Sequence, residues 1–93
     1  KIKIDGPHQE DFLKIFAMVA RKRKMPLDED TLVHLFNVRY PEIDNVYANY
    51  QPIFLIDQMI SICEFEGIPY QMTPDLIDRA WANMFVKEEE IIH

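Results

Sequence analysis

Gln51-Pro52-Ile53-Phe54-Leu55-Ile56-Asp57-Gln58-Met59-Ile60-Ser61-Ile62-Cys63-Glu64-Phe65-Glu66-Gly67 is the stretch that decides the fold class. Pro52 suits the first position of a helix, where its missing N–H costs no hydrogen bond. Leu55, Ile56, Met59, Ile60, Ile62 and Cys63 follow at spacings that give this helix an unusually wide apolar surface. A helix of that kind is central. Gly67 ends it, since glycine adopts the left-handed conformation that closes a helix C-terminus, and Pro69 prevents continuation.

Working outward, Thr73-Pro74 opens a further helix, with Thr73 as its cap, Pro74 at its first position and Met72 placed to staple onto Ile77. Ile77, Ala80, Trp81, Met84 and Phe85 form its inner face, and Lys87-Glu88-Glu89-Glu90 reads as a frayed, solvated end. Asp28 caps a helix over 29–40 with Leu32, Leu35 and Phe36 inward, and Leu27 is placed to staple onto Leu32. Pro41 stops that helix, and 41–50 shows no sustained period, which predicts an ordered loop held by Ile43, Val46 and Tyr47. Over 9–24, Phe12, Leu13, Ile15, Phe16, Val19 and Ala20 mark a first helix with one broad buried face. The expectation is an all-α fold: a compact four-helix bundle, residues 7–86, after a short strand fragment at 1–6 and before an acidic tail at 87–93.

Ninety-three residues make one domain, which buries about 60–65% of its unfolded surface in a single modest core. Ten Lys and Arg against sixteen Asp and Glu give a net charge of -6, which repels a phosphate backbone and argues against nucleic acid as the main ligand. Arg21-Lys22-Arg23-Lys24 is the local exception, and a helix C-terminus favours cations there. Cys63 is the single cysteine, so no intrachain disulfide forms and a reducing, cytoplasmic setting fits. No apolar run reaches the roughly 20 residues that cross a bilayer. Lys1-Ile2-Lys3-Ile4-Asp5 lacks a signal-peptide core, and this alternating start entering Gly6-Pro7 without an initiator Met reads as an excised piece.

Chemistry is sparse. His8, His34 and His93 are far apart and form no metal-ligand spacing. Cys63 shares a stripe with Ile56 and Met59 and reads as a small buried hydrophobe. Asp57, Glu64 and Glu66 fall on the polar side of the third helix, and Asp75 and Asp78 on the first turns of the fourth, where the helix dipole accounts for them. Gly6 and Gly67 are the only glycines, so no glycine-rich phosphate loop is present. Met18, Met59, Met84, Trp81 and Phe85 at helical spacing read as core. Neither catalytic nor metal-ligating residues are expected.

The order of these features resembles the C-terminal helical lid, or small domain, of AAA ATPases over nearly the whole chain. Lys1-Ile2-Lys3-Ile4-Asp5-Gly6-Pro7 is similar to the last core strand running into the proline that starts the lid. Ile15-Phe16 matches the pair on the first helix, Met25-Pro26-Leu27-Asp28 the linker into the second, and Asn49-Tyr50-Gln51-Pro52-Ile53-Phe54-Leu55-Ile56 the start of the third near the nucleotide. Met72-Thr73-Pro74-Asp75-Leu76-Ile77-Asp78-Arg79-Ala80-Trp81 is similar to the final helix. The resemblance implies a subdomain that closes over ATP and Mg held by the parent protein's large subdomain and couples hydrolysis to movement between neighbouring subunits of a ring. The parent, not this piece, would be the ATPase, and the isolated piece would carry no cofactor. Ile15, Val19, Pro52 and Ile53 are the positions it implies near adenine or ribose. Ile53 stands where many relatives carry a sensor arginine, Phe12 where several carry another, and Val19 where some present a histidine to the base, so base contact would be apolar.

Other readings are a free-standing interaction module that holds a partner helix between its third and fourth helices, and a helix-turn-helix DNA binder using Arg21, Lys22, Arg23 and Arg39, which the acidic total disfavours. A small enzyme lacks any convergent acid, base and nucleophile. For the lid, an exposed apolar patch belongs beside the N-terminal strand, with Pro7 and Pro52 converging on one edge.

Overall fold

Asp28 and Thr73 turn local signals into helix starts. The carboxylate of Asp28 accepts from the backbone N–H and the hydroxyl of Thr31, at 2.9 and 2.7 Å, and begins α2 (Glu29–His34). The hydroxyl of Thr73 accepts from the N–H of Leu76 at 3.1 Å and begins α4 (Pro74–Ile92). At the other kind of end, Gly67 at φ 71° closes α3 (Tyr50–Glu66), with Ile68 N–H donating to the Cys63 carbonyl at 3.0 Å and Gly67 N–H to that of Glu64 at 3.3 Å. α1 (Gln9–Lys22) ends in the same motif, except that Lys24, at φ 62°, takes the left-handed position. There Met25 N–H donates to Ala20 at 2.8 Å and Lys24 N–H to Arg21 at 3.1 Å. The computed structural model describes residues 9–92, with side chains through 84, and all regular structure among them is helical.

α3 is the central helix, with Leu55, Ile56, Met59 and Cys63 fully buried. α1 covers it with Phe12, Phe16 and Ala20, and α4 with Leu76, Ile77, Ala80, Trp81 and Met84. Tyr40 joins the layers through ring contacts to Phe12, Tyr47 and Trp81 at centroid separations of 5.3, 4.7 and 4.8 Å, the offset geometry that aromatic quadrupoles favour. No helix among the described residues is long and apolar enough to cross a membrane.

Several details differ from the sequence reading. The second helix leaves α geometry after His34, widens into a π-helix (Leu35–Arg39) and tightens into a 3-10 turn (Tyr40–Ile43) that contains Pro41. The chain then turns through Asp44 and Asn45, both left-handed. α3 begins at Tyr50, so Pro52 is its third residue, still among positions whose N–H has no partner within the helix. Leu27, Val46 and Met18 are 48%, 46% and 59% exposed: Leu27 is half in solvent, Tyr47 rather than Val46 holds the loop inward, and Met18 is not core. α4 continues to Ile92 where a frayed end was expected. The expected strand at 1–6, with Pro7, lies outside the described residues, as does the side chain of Phe85.

Candidate functional site

Two contacts set the register of α1 on α3. At one end, the Tyr47 hydroxyl donates to Gln9 Oε1 at 3.4 Å, and the Phe12 ring lies 4.9 Å from that of Tyr47. Gln51 Oε1, buried at the start of α3, accepts from the Tyr40 hydroxyl at 2.8 Å and from Ala48 N–H at 3.1 Å, and Tyr40 in turn packs on Phe12. The first turns of α1 and α3 therefore meet at one end of the molecule. Further along, the Arg23 guanidinium pairs with the Asp57 carboxylate.

The four positions expected near a nucleotide fall between these contacts. Ile15, Val19 and Arg23 are four residues apart and share a stripe of the first helical segment, as Ile53 and Asp57 do on α3. The Arg23–Asp57 pair joins the ends of the two stripes at one point. Ile15 and Val19 are half-buried, Val19 against the core. Pro52 is enclosed by protein, whereas Ile53 is 45% exposed. With Tyr50, Phe54, Asp57 and Gln58, Ile53 lines an open depression of about 400 Å³, every residue of which comes from α3. The lining is apolar apart from the Tyr50 hydroxyl, the Asp57 carboxylate and the Gln58 amide.

The most polar cluster lies elsewhere and was not anticipated. Asp78 Oδ1 on α4 receives Arg39 Nε at 2.7 Å and His34 Nε2 at 2.8 Å, and Arg39 also reaches Glu42 at 3.0 Å. The hydrogen bond from Arg39 holds the Asp78 carboxyl below its usual range, and that bond in turn raises the Arg39 guanidinium. Asp78 accepts two donors on one oxygen and faces no nucleophile, so the cluster joins the π-helix to α4. Only a wider helical turn brings His34 and Arg39 together, and spacing gave no sign of it. Cys63 is buried, its thiol 3.5 Å from the Gln71 carbonyl. Among the described residues, no three His, Cys, Asp or Glu side chains gather as metal ligands would.

Neither the curated proteins nor the solved structures provide a match to this chain. A family model described as a domain of unknown function, DUF8689, matches residues 8–83, and the chain belongs to that family.

Proposed function

We propose that this chain is the helical lid of an AAA-type ATPase: a subdomain of a cytoplasmic ring protein that closes over ATP and couples hydrolysis to subunit movement without catalytic residues of its own. One observation supports this above the others. The N-terminal turns of α1 and α3 share an end through Gln9, Phe12, Tyr40, Tyr47 and Gln51. Ile53 is open at that edge and Ile15 and Val19 are half-covered, so a flat apolar base would find its contacts there. The residues suit the base end of a nucleotide and not its phosphates. Arg23, which reaches α3 one turn beyond Ile53, is already paired with Asp57, and the described backbone has one glycine, Gly67, at the far end of α3. Phosphates and Mg would be held by the large subdomain, which supplies the hydrolytic chemistry.

The interaction-module reading needs a groove between α3 and α4. That junction is closed by shared core and by the Gln58–Asn83 and Glu66–Arg79 contacts at 2.9 and 3.2 Å. The test is photolabelling of the full-length protein with 8-azido-ATP, followed by mapping of labelled peptides. Label on segments 15–19 or 50–54 is expected. Label confined to other segments, or no ATP-dependent labelling, overturns the proposal.

A further inference from the structure

The π-helix Leu35–Arg39 contains neither proline nor glycine, and a segment without breakers, left to itself, takes the tighter α ladder, since π geometry is rare. It is wide because both of its flanks are held. On one flank, Asp78 Oδ1 on α4 accepts from His34 Nε2 and Arg39 Nε, which face one oxygen together only when the turn is widened. On the other, Tyr40 is wholly buried, with its hydroxyl on Gln51 and its ring against Trp81. The two ladders are discrete. Here Tyr40 N–H donates to the Leu35 carbonyl, five residues back; in an α-helix it would donate to that of Phe36, four back.

We infer that Leu35–Arg39 is a two-state turn, latched in its wide form by Asp78, and that releasing the latch loosens the joint between the first turns of α1 and α3. The path is short and contiguous. Arg39 and Tyr40 are neighbours in the chain, so a turn that tightens at Arg39 rotates Tyr40 relative to the core. The Tyr40 hydroxyl then leaves Gln51 Oε1, which also holds Ala48 N–H at 3.1 Å. Its ring moves off that of Tyr47, 4.7 Å away, whose hydroxyl is the one bonded to Gln9.

Asp78 is the release point. Its side chain is 34% exposed, so a competing cation reaches it from solvent, whereas the aromatic flank is sealed in the core. A turn with two hydrogen-bond registers is a physical two-state element, and both surfaces bias it: the Asp78 face of α4 on one side, the α1–α3 joint on the other. The coupling belongs to the fold and needs no nucleotide, so its test stands apart from the azido-ATP labelling.

NMR of the chain reads both ends of the device. Scalar couplings across hydrogen bonds identify the carbonyl that accepts from Tyr40 N–H, and hydrogen exchange of Ala48 N–H reports on the joint. In the parent the acceptor is Leu35. In Asp78→Ala it should become Phe36, and Ala48 N–H should exchange about tenfold faster relative to Leu55 N–H in the middle of α3. Arg39→Ala removes the other half of the pair and should act in the same direction, which carries the test where Asp78→Ala does not fold. Gly67→Ala separates coupling from general destabilisation: it strains the far end of α3 and should leave both the acceptor and the exchange ratio as in the parent. Leu35 remaining the acceptor in both latch variants, or an exchange ratio that moves no more than in Gly67→Ala, overturns the inference.

Discussion

His34 and Arg39 meet on a single oxygen, Oδ1 of Asp78, at 2.8 and 2.7 Å. In a regular α-helix, residues five apart sit about 140° apart around the axis and face different neighbours. Here the backbone between them is π-helical, and Tyr40 N–H donates to the Leu35 carbonyl, five residues back. The wider turn carries Arg39 round to the His34 side. It also leaves Leu35, Phe36 and Tyr40 buried together, so one irregularity serves both the polar cluster and the aromatic core.

Removing the shared acceptor should therefore cost more than removing either donor. Asp78→Ala is expected to lower stability by about 1–2 kcal/mol, less than a fully buried charged network because its members are a quarter to a third exposed. Arg39→Ala should cost less, since His34 remains, and the double variant should be clearly non-additive. The sign of the pH effect follows from Asp78, whose folded pKa is lowered. Its contribution is complete above the ordinary Asp pKa of about 4 and is lost as pH falls through the lowered value. Urea unfolding between neutral and acid pH checks both, and Asp78→Ala should flatten part of the acid slope.

The ends of helices were legible in the sequence because each is decided within a few residues. Asp28, Thr73 and Gly67 do what their types and positions predict. The central α3 was legible for the opposite reason: Leu55, Ile56, Met59 and Cys63 give it a fully buried face, although Ile53 and Phe65 on the same helix stay in solvent. The π-helix was not legible. Leu35-Phe36-Asn37-Val38-Arg39 carries no breaker, and what widens it is tertiary, the pull of Asp78 from one side and the aromatic core from the other. Of the positions named for the candidate edge, Ile15, Val19 and Ile53 keep some open surface, but Pro52 is enclosed, because a first-turn residue of a central helix has the core beneath it.

Lys24 and Gly67 occupy equivalent left-handed positions with different residues. Lys24→Gly should stabilise the chain by about 0.5–1 kcal/mol, by relieving the strain of a side chain at φ 62°. Gly67→Ala should destabilise by about 1 kcal/mol for the same reason, and purely through the backbone, since a Cβ there meets nothing within 4 Å. Thermal unfolding of the two variants should move Tm in opposite directions.

Phe12 occupies the position at which the lid resemblance places an arginine in some relatives. The residue is wholly buried, and its ring contacts those of Phe16, Phe36, Tyr40 and Tyr47. Phe12→Ala should cost about 3–5 kcal/mol. Phe12→Arg should leave little folded protein, because the guanidinium would sit among aromatic rings without a carboxylate. Circular dichroism in urea distinguishes the two. A well-folded Phe12→Arg variant would mean that α1 can rotate on α3, and would remove the register on which the nucleotide edge rests.

Tyr40 makes the last case, and its pH sign is opposite to that of Asp78. Burial, with Tyr47 beside it, pushes the Tyr40 hydroxyl far above its ordinary value, and burial also raises Tyr47. Above about pH 10 the unfolded chain loses these protons while the folded chain keeps them. Stability is therefore complete below that pH and falls as pH rises, by about 1.4 kcal/mol per pH unit for Tyr40, with Tyr47 adding to the fall in the same direction. Tyr40→Phe should remove one such contribution to the alkaline slope. At neutral pH it should cost about 1 kcal/mol for the lost bond to Gln51, and no more, because Gln51 Oε1 keeps the N–H of Ala48. Urea unfolding at pH 8 to 11 reads both effects. A slope unchanged by Tyr40→Phe would mean that the hydroxyl reaches solvent, and that the joint between the first turns of α1 and α3 opens without unfolding the rest.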